Sequence, residues 1–117
     1  MITTEWENLY FHSHVNIKNI IGKELINDDR LVLIDFFATW CQPCKVQSSV
    51  LNTVEENVGE NARIVKIDID QYPQIAADNN VRGVPTLMLY KKGELLWKSS
   101  GVHDVNTLTN LINQHQK

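Results

Sequence analysis

The chain contains two cysteines, and both lie in the tetrapeptide Cys-Gln-Pro-Cys at residues 41–44. An apolar run of strand length, residues 31–36, comes shortly before it. After the tetrapeptide, apolar residues recur at helical spacing and a glycine at position 59 ends the pattern: Val46, Val50, Leu51, Val54 and Val58. The sequence therefore predicts a buried strand, a cysteine pair and the start of a helix, in that order.

The beginning of a helix favours thiolate chemistry, because its free N–H groups and its dipole stabilise negative charge. Cys41 lies at the predicted helix start, and Cys44 lies about one turn inside the helix. Cys41 is therefore predicted to be the more readily ionised thiol and the attacking nucleophile. Pro43 fits the first helical turn, where a missing N–H is tolerated.

Two other interpretations of the cysteine pair are weaker. Cys-x-x-Cys is also half of a structural zinc site, which needs two more ligands. The sequence has no second cysteine pair, and its histidines form no compact ligand motif: His12, His14, His103 and His115. Two inert buried cysteines would not be expected at a strand–helix junction. The sequence therefore predicts no metal site.

Asp35 interrupts the apolar strand that precedes the cysteines. By period-two alternation it shares a face with apolar residues, namely Leu31, Leu33 and Phe37. A carboxyl group buried there loses hydration, which should raise its pKa toward the range useful for proton transfer. Lys66 interrupts the apolar run of residues 64–69 in the same way and could offset the Asp35 charge if the two strands pair. The alternative is a solvated Asp35 at the strand end.

The rest of the chain alternates between helical and extended patterns. A helical pattern (Ile17, Ile20, Ile21, Leu25) stops at residues 27–29, and residues 63–69 form a second buried strand. Residues 72–79 predict a short helix with Pro73 near its start. Residues 86–90 and 94–100 flank a Lys-Lys-Gly turn and predict a hairpin. Asp104 is predicted to cap a last helix whose buried face would hold Val105, Leu108, Leu111, Ile112 and His115.

Length and composition exclude several classes of protein. With 117 residues, 43% of them hydrophobic, the chain fits one compact domain. A net charge of -3 with interspersed signs disfavours a nucleic-acid binder. No apolar run could span a bilayer, and the N-terminal residues lack a secretory-signal pattern. We expect a cytoplasmic monomer with residues 1–16 as an extension and residues 17–117 as the domain.

Four separated motifs resemble the thioredoxin family. They are residues 35–45 (DFFATWCQPCK), residues 66–70 (KIDID), residues 81–86 (VRGVPT) and Gly101. The resemblance runs from about residue 17 to the C-terminus. It implies an α/β protein with the thioredoxin fold, in which a central mixed β-sheet of four to five strands is flanked by helices on both faces.

The resemblance also implies a catalytic cycle. Cys41 would attack a disulfide of a target protein and form a mixed disulfide, and Cys44 would then resolve it. Asp35 would act as the acid/base group for Cys44 through water, with Lys66 beside it in the catalytic set. Protein disulfides would be the substrates and no cofactor would be bound. Electrons would come from NADPH through a flavin-containing, thioredoxin reductase-like enzyme.

Target binding is implied on both sides of the cysteine pair. Trp40 would shield the site, and Pro85 would align the target backbone beside Cys41. Val84, Pro43 and Gly101 would complete an apolar docking patch, with Gln42 next to the nucleophile. The family carries a cis-proline at the position of Pro85, although the residues alone give a cis bond there little support.

Three positions depart from the family pattern. Gln42 replaces a glycine, Phe37 stands where tryptophan is common, and Ser49 replaces a helix-kinking proline. Because the residues between the cysteines influence thiolate stability, the reduction potential is open. A more oxidising isomerase-like or oxidase-like member, or a dedicated electron donor, is therefore the second hypothesis. A non-catalytic binding module is the third, and the intact cysteine pair argues against it.

Overall fold

The computed structural model describes residues 28–116, which form four strands and three α-helices. In chain order they are β1 (Leu31–Phe37), α1 (Gln42–Val58), β2 (Ala62–Asp68), α2 (Pro73–Asp78), β3 (Thr86–Lys91), β4 (Glu94–Ser100) and α3 (Val105–His115), with a 3-10 turn at Gly59–Asn61. The predicted element order is confirmed. The helix predicted from Ile17 to Leu25 and the extension of residues 1–16 lie outside the described residues.

The four strands form one mixed sheet in the order β2-β1-β3-β4. β1 pairs with β2 in parallel and with β3 antiparallel, and β3 and β4 are also antiparallel. β1 is therefore interior, with a neighbour on each side and packed side chains on both faces. This position explains why its sequence is apolar almost throughout. The predicted α/β class with a mixed central sheet is confirmed.

Helices cover both faces of the sheet. On one face α2 packs over a cluster that we call the α2-face core: Val32, Ile34, Phe36, Val65, Ile67, Ile75, Met88 and Tyr90. On the other face α1 and α3 pack over the α1-face core: Leu31, Leu33, Leu51, Val54, Val58, Ala62, Ile64, Leu87, Leu89, Leu108 and Ile112. Alternate residues of β1 enter opposite cores, as the pleat of a strand requires.

The predicted buried stripe of α1 is wrong at one position. Val46 was expected on it, but its side chain is 56% exposed. The buried face instead contains Gln47, between Cys44 and Leu51. Because successive residues of a helix are about 100° apart, Val46 and Gln47 cannot share one face. An apolar residue therefore lies in solvent and an amide lies in the interior.

The predicted ends of the helices and the hairpin are confirmed. Gly59, with φ of 57°, ends α1. Lys92 and Gly93 both have positive φ, at 51° and 82°, as a two-residue hairpin turn between β3 and β4 requires. The Asp104 side chain accepts a hydrogen bond of 2.8 Å from the backbone N–H of Thr107 and caps α3. Between residues 28 and 116, no helix is long and apolar enough to cross a membrane.

Candidate active site

The cysteine pair lies at the junction of β1 and α1, as predicted. Cys41 is the N-cap of α1, and Cys44 lies in the first turn with Pro43 beside it. The two are joined by a disulfide with their Cα atoms 5.3 Å apart. Both residues are only 3% exposed and pack with Ala38. The structure therefore shows the oxidised form of a dithiol built into a helix start.

The environment of Cys41 supplies a hydrogen-bond donor for a negative sulfur. The backbone N–H of Cys44 donates to Sγ of Cys41 at 3.1 Å. A sulfur at a helix N-cap also lies at the positive end of the helix dipole. Both effects stabilise a thiolate once the disulfide is reduced.

The loop before β3 meets the cysteines. The carbonyl oxygen of Val84 lies 3.7 Å from Sγ of Cys41, and Val84 packs against the cysteine pair. The Val84–Pro85 peptide bond is cis, as the family resemblance implies. The N–H of Gly101 donates to the Pro85 carbonyl at 2.9 Å, and the φ of Gly101 is 91°. Three predicted docking residues, Val84, Pro85 and Gly101, therefore lie together beside Cys41.

Trp40, Gln42 and Pro43 form the opposite, exposed side of the site. The Trp40 ring is 68% exposed, and its Nε1–H donates to the Asp70 carboxylate at 2.9 Å. Asp70 fixes the direction of this ring, and the sequence analysis did not single it out. It lies within the matched residues 66–70, but nothing in that motif shows which carboxylate reaches the tryptophan.

Asp35 is fully buried in the α1-face side of the sheet. Burial raises the pKa of this carboxyl to about 7, and the positive charge of Lys66 opposes the rise. Neither carboxyl oxygen has a hydrogen-bond partner within the described part of the chain. The prediction of a raised pKa is confirmed, and the alternative of a solvated Asp35 is wrong.

Lys66 lies next to Asp35 across the sheet, because the two residues are partners in the parallel β1–β2 register. Its ammonium group does not bond to the carboxyl, however. Nζ donates to the Ser48 hydroxyl at 2.5 Å and lies 5.1 Å from the centre of the Phe37 ring. A cavity of about 260 Å³ opens here, lined by Cys44, Ser48 and Lys66 among others. Ser48, one turn after Cys44 on α1, was missed by the sequence analysis.

Gln47 is a third residue, after Asp70 and Ser48, that no sequence pattern singled out. Its side-chain amide is fully buried and forms a reciprocal pair with the backbone of His103. Nε2 donates to the His103 carbonyl at 3.1 Å, and the His103 N–H donates to Oε1 at 2.8 Å. This pair ties α1 to the loop that follows Gly101. A polar residue on the buried face of a helix was the available signal.

The arrangement can transfer electrons between disulfides. A dithiol at a helix N-terminus, a peptide loop against one of its sulfurs and a buried carboxyl on the strand before the pair are the parts that such an exchange needs. Across residues 28–116 no cluster of His, Cys, Asp and Glu could hold a metal ion. The site and the α/β fold define a thiol–disulfide oxidoreductase.

The thioredoxin family model matches residues 13–114, so the chain belongs to the thioredoxin family. The thioredoxin of Porphyra purpurea is 39% identical over 93 residues, which cover 80% of this chain and 87% of that protein. A chloroplastic thioredoxin of Arabidopsis thaliana is 39% identical over 88 residues, covering 75% and 53%. A solved thioredoxin of Halobacterium salinarum superposes with a TM-score of 0.73 at 36% identity, covering 80% and 81%.

The family and these relatives support a reductase activity. The chain acts as a protein-disulfide reductase of the thioredoxin type. This activity argues against the third hypothesis, a non-catalytic binding module. The second hypothesis, a more oxidising member or a dedicated electron donor, depends on the reduction potential.

Proposed function

We propose that this reductase works through Cys41 as the attacking thiol and Cys44 as the resolving thiol. The observation that supports this assignment most directly is the N–H of Cys44, which donates to Sγ of Cys41 at the N-cap of α1. Cys44 lies inside the first turn, and no residue in the described part of the chain donates a hydrogen bond to its sulfur. This asymmetry of the helix start supports different roles for the two neighbouring cysteines.

The exchange proceeds in two balanced steps. The Cys41 thiolate attacks one sulfur of the target disulfide, and the other target sulfur leaves as a thiolate and takes up a proton. The Cys44 thiol then loses its proton, and its thiolate attacks Sγ of Cys41 and expels the second target sulfur. Two electrons pass to the target, and the Cys41–Cys44 disulfide of the present structure is the product.

Asp35 is proposed as the group that takes the proton from Cys44. A pKa of about 7 leaves both protonation states populated near neutral pH, which suits a group that accepts and returns a proton. Lys66 opposes the effect of burial and keeps the pKa from rising further. Its place in the cavity beside Cys44 makes it part of the same proposed catalytic set.

The target chain is proposed to bind between two groups of residues. Trp40, Gln42 and Pro43 would contact it on the exposed side. Val84, Pro85 and Gly101 would contact it on the other side, where the backbone of Val84 already approaches Sγ of Cys41. An extended target segment placed along this loop would bring its disulfide to the attacking sulfur.

Trapping of the mixed disulfide tests the cysteine roles. The Cys44→Ser variant should accumulate covalent complexes with target proteins, because Cys41 still attacks but nothing resolves the product. The Cys41→Ser variant, which is the matched control, should trap none and should lose turnover completely. Non-reducing gels and mass spectrometry of a disulfide-containing substrate such as insulin would give the readout. Complexes formed through Cys44 in the second variant would reverse the assignment.

We also propose the cellular setting. A dithiol that acts as a reductant needs a reducing compartment and an electron source. The cytoplasm and a flavin-containing, NADPH-dependent reductase would supply both, and a monomer with residues 17–117 as its functional domain would suffice. A reduction potential near about -270 mV, typical of a thioredoxin, would agree with this setting. A value of about -180 to -120 mV would instead favour disulfide formation or shuffling.

A further inference from the structure

The ammonium group of Lys66 has two candidate partners, the Asp35 carboxyl and the Ser48 hydroxyl. The structure shows which of them it bonds to. Lys66 and Asp35 are register partners in adjacent parallel strands, so their side chains project from the same face of the sheet. The flexible stem of a lysine could bring the ammonium group to the carboxyl. Both carboxyl oxygens are nevertheless without a hydrogen-bond partner within the described residues. Nζ of Lys66 bonds to the Ser48 hydroxyl instead.

Ser48 and Phe37 hold the ammonium group from two sides. The Ser48 oxygen accepts its hydrogen bond at 2.5 Å, and the Phe37 ring lies 5.1 Å away, within the range of a cation–π interaction. Ser48, Lys66 and Cys44 line the same cavity. The positive charge is therefore kept at the cavity that Cys44 also lines, without a hydrogen bond to the buried carboxyl.

We propose that Ser48 is a positioning residue: its hydroxyl anchors the Lys66 ammonium group at the cavity beside Cys44 and so keeps it from pairing with the Asp35 carboxyl. A paired carboxyl would hold its negative charge too tightly to be reprotonated, and would also withdraw the cation from Cys44. The inference deepens the proposed function, because it concerns the same proton transfer to Asp35.

The other groups on the elements packed against this face of the sheet do not replace Lys66 in this role. From α1, Cys44 and Lys45 line the cavity that Lys66 also lines, and Cys44 is in the disulfide in the oxidised protein. β3 places Leu87 opposite Asp35, and α3 contributes apolar residues to this core. Among the described residues, Lys66 is the charge whose effect on the pKa of Asp35 is resolved.

The test is a carboxyl-carbon NMR titration of Asp35 in the oxidised protein. Ser48→Ala removes the anchor, so the ammonium group should move to the carboxyl and lower the midpoint of the titration by about one pH unit. Ser49→Ala is the matched control, since Ser49 is the next residue of α1 and is exposed. It should titrate as the wild type does. Ser48→Thr keeps the hydroxyl and should restore the wild-type midpoint.

The same substitution in a Lys66→Met protein separates a positioning role of Ser48 from a general structural effect of its removal. In a Lys66→Met protein, Ser48→Ala should cause no further shift, because the cation that it anchors is gone. The inference is overturned if Ser48→Ala titrates like Ser49→Ala, if its midpoint rises, or if the shift persists without Lys66. The oxidised protein cannot exchange thiols, so this result does not depend on the roles of Cys41 and Cys44. The proposed function would fail separately, in the trapping experiment.

Discussion

The two faces of the central sheet use β1 in different ways. Toward α2, the strand presents Val32, Ile34 and Phe36, and among residues 28–116 no carboxyl or amide side chain belongs to the core there. Toward α1, the same strand presents Leu31 and Leu33 and then Asp35. On the α2 face, the side chains of β1 are thus apolar throughout. The other face is apolar only up to the level of the cysteines.

The buried polar residues on the α1 side differ from each other as well. Gln47 has both ends of its amide paired with the backbone of His103, so its burial loses little hydrogen bonding. Asp35 has no such partner among the described residues and carries a raised pKa. Unpaired burial lowers stability and is retained where chemistry uses it. The difference indicates that Gln47 serves the architecture, and it agrees with the role in proton transfer that we propose for Asp35.

The largest expected loss of stability comes from a cavity in the α2-face core. Phe36 is fully buried in the α2-face core. Phe36→Ala should lower the free energy of unfolding by about 3–5 kcal/mol, because it leaves a cavity in a closely packed core. Urea denaturation of the oxidised protein at pH 7 measures this. Val46→Ala, at an exposed position of α1, should change it by less than about 0.5 kcal/mol. Similar losses of unfolding free energy in both variants would contradict the expectation that packing in this core stabilises the fold.

The next effect concerns Asp35 and depends on pH. Its pKa is about 7 in the folded protein against an ordinary value of 3.8, so the folded state binds the extra proton between these values. The contribution of Asp35 to stability should therefore be most favourable below about pH 4 and should fall as the pH rises to about 7, by up to about 4 kcal/mol. In Asp35→Asn this fall should vanish, since the amide does not titrate. Urea denaturation from pH 4 to pH 8 gives the comparison.

A control on the same strand keeps this result specific. Leu33→Ala should lower stability by a similar amount at every pH and retain the slope of the wild type. A slope that survives in Asp35→Asn would show that another group causes it. The same Asp35→Asn protein should fold normally yet resolve mixed disulfides more slowly, which single-turnover kinetics with a disulfide substrate would measure.

The smallest expected loss of stability comes from replacing Gln47, whose side-chain amide is paired with the backbone of His103. Gln47→Leu would leave the N–H and the carbonyl of His103 without their partner, at a cost of about 1–3 kcal/mol. The His103 amide should also exchange its hydrogen faster in an NMR measurement, because it loses its acceptor. Gln42→Leu, the same change at an exposed position, should leave both quantities near the wild type. Slow hydrogen exchange of the His103 amide in Gln47→Leu would mean that this loop keeps its conformation without the contact to α1.

Several features could be predicted from local sequence alone. The strand before Cys41, the helix after it, its end at Gly59 and the cap at Asp104 all follow from periodicity and from residue preferences over a few positions. The burial of Asp35 was also predictable, because alternation along a strand assigns each residue to a face. These predictions need only the neighbours of a residue in the chain, and the structure confirms them.

The contacts that complete the site were decided by the tertiary structure. Lys66 bonds to Ser48 rather than to Asp35, although alternation correctly placed the two charges side by side. This choice depends on how α1 is rotated against the sheet, and a difference of one residue turns a helix by about 100°. The sequence pattern erred in that rotation when it placed Val46 inside and overlooked Gln47.

The contacts between loops that are distant in the chain were also decided by the tertiary structure. Gly101 bonds to Pro85, and Trp40 bonds to Asp70, across separations that only the strand order β2-β1-β3-β4 brings together. By itself the sequence determined which residues are the candidates for the chemistry, because a dithiol, a buried carboxyl and their elements are local features. Only the packed fold decided which partner each of them has, because a hydrogen bond depends on distances that no local pattern contains.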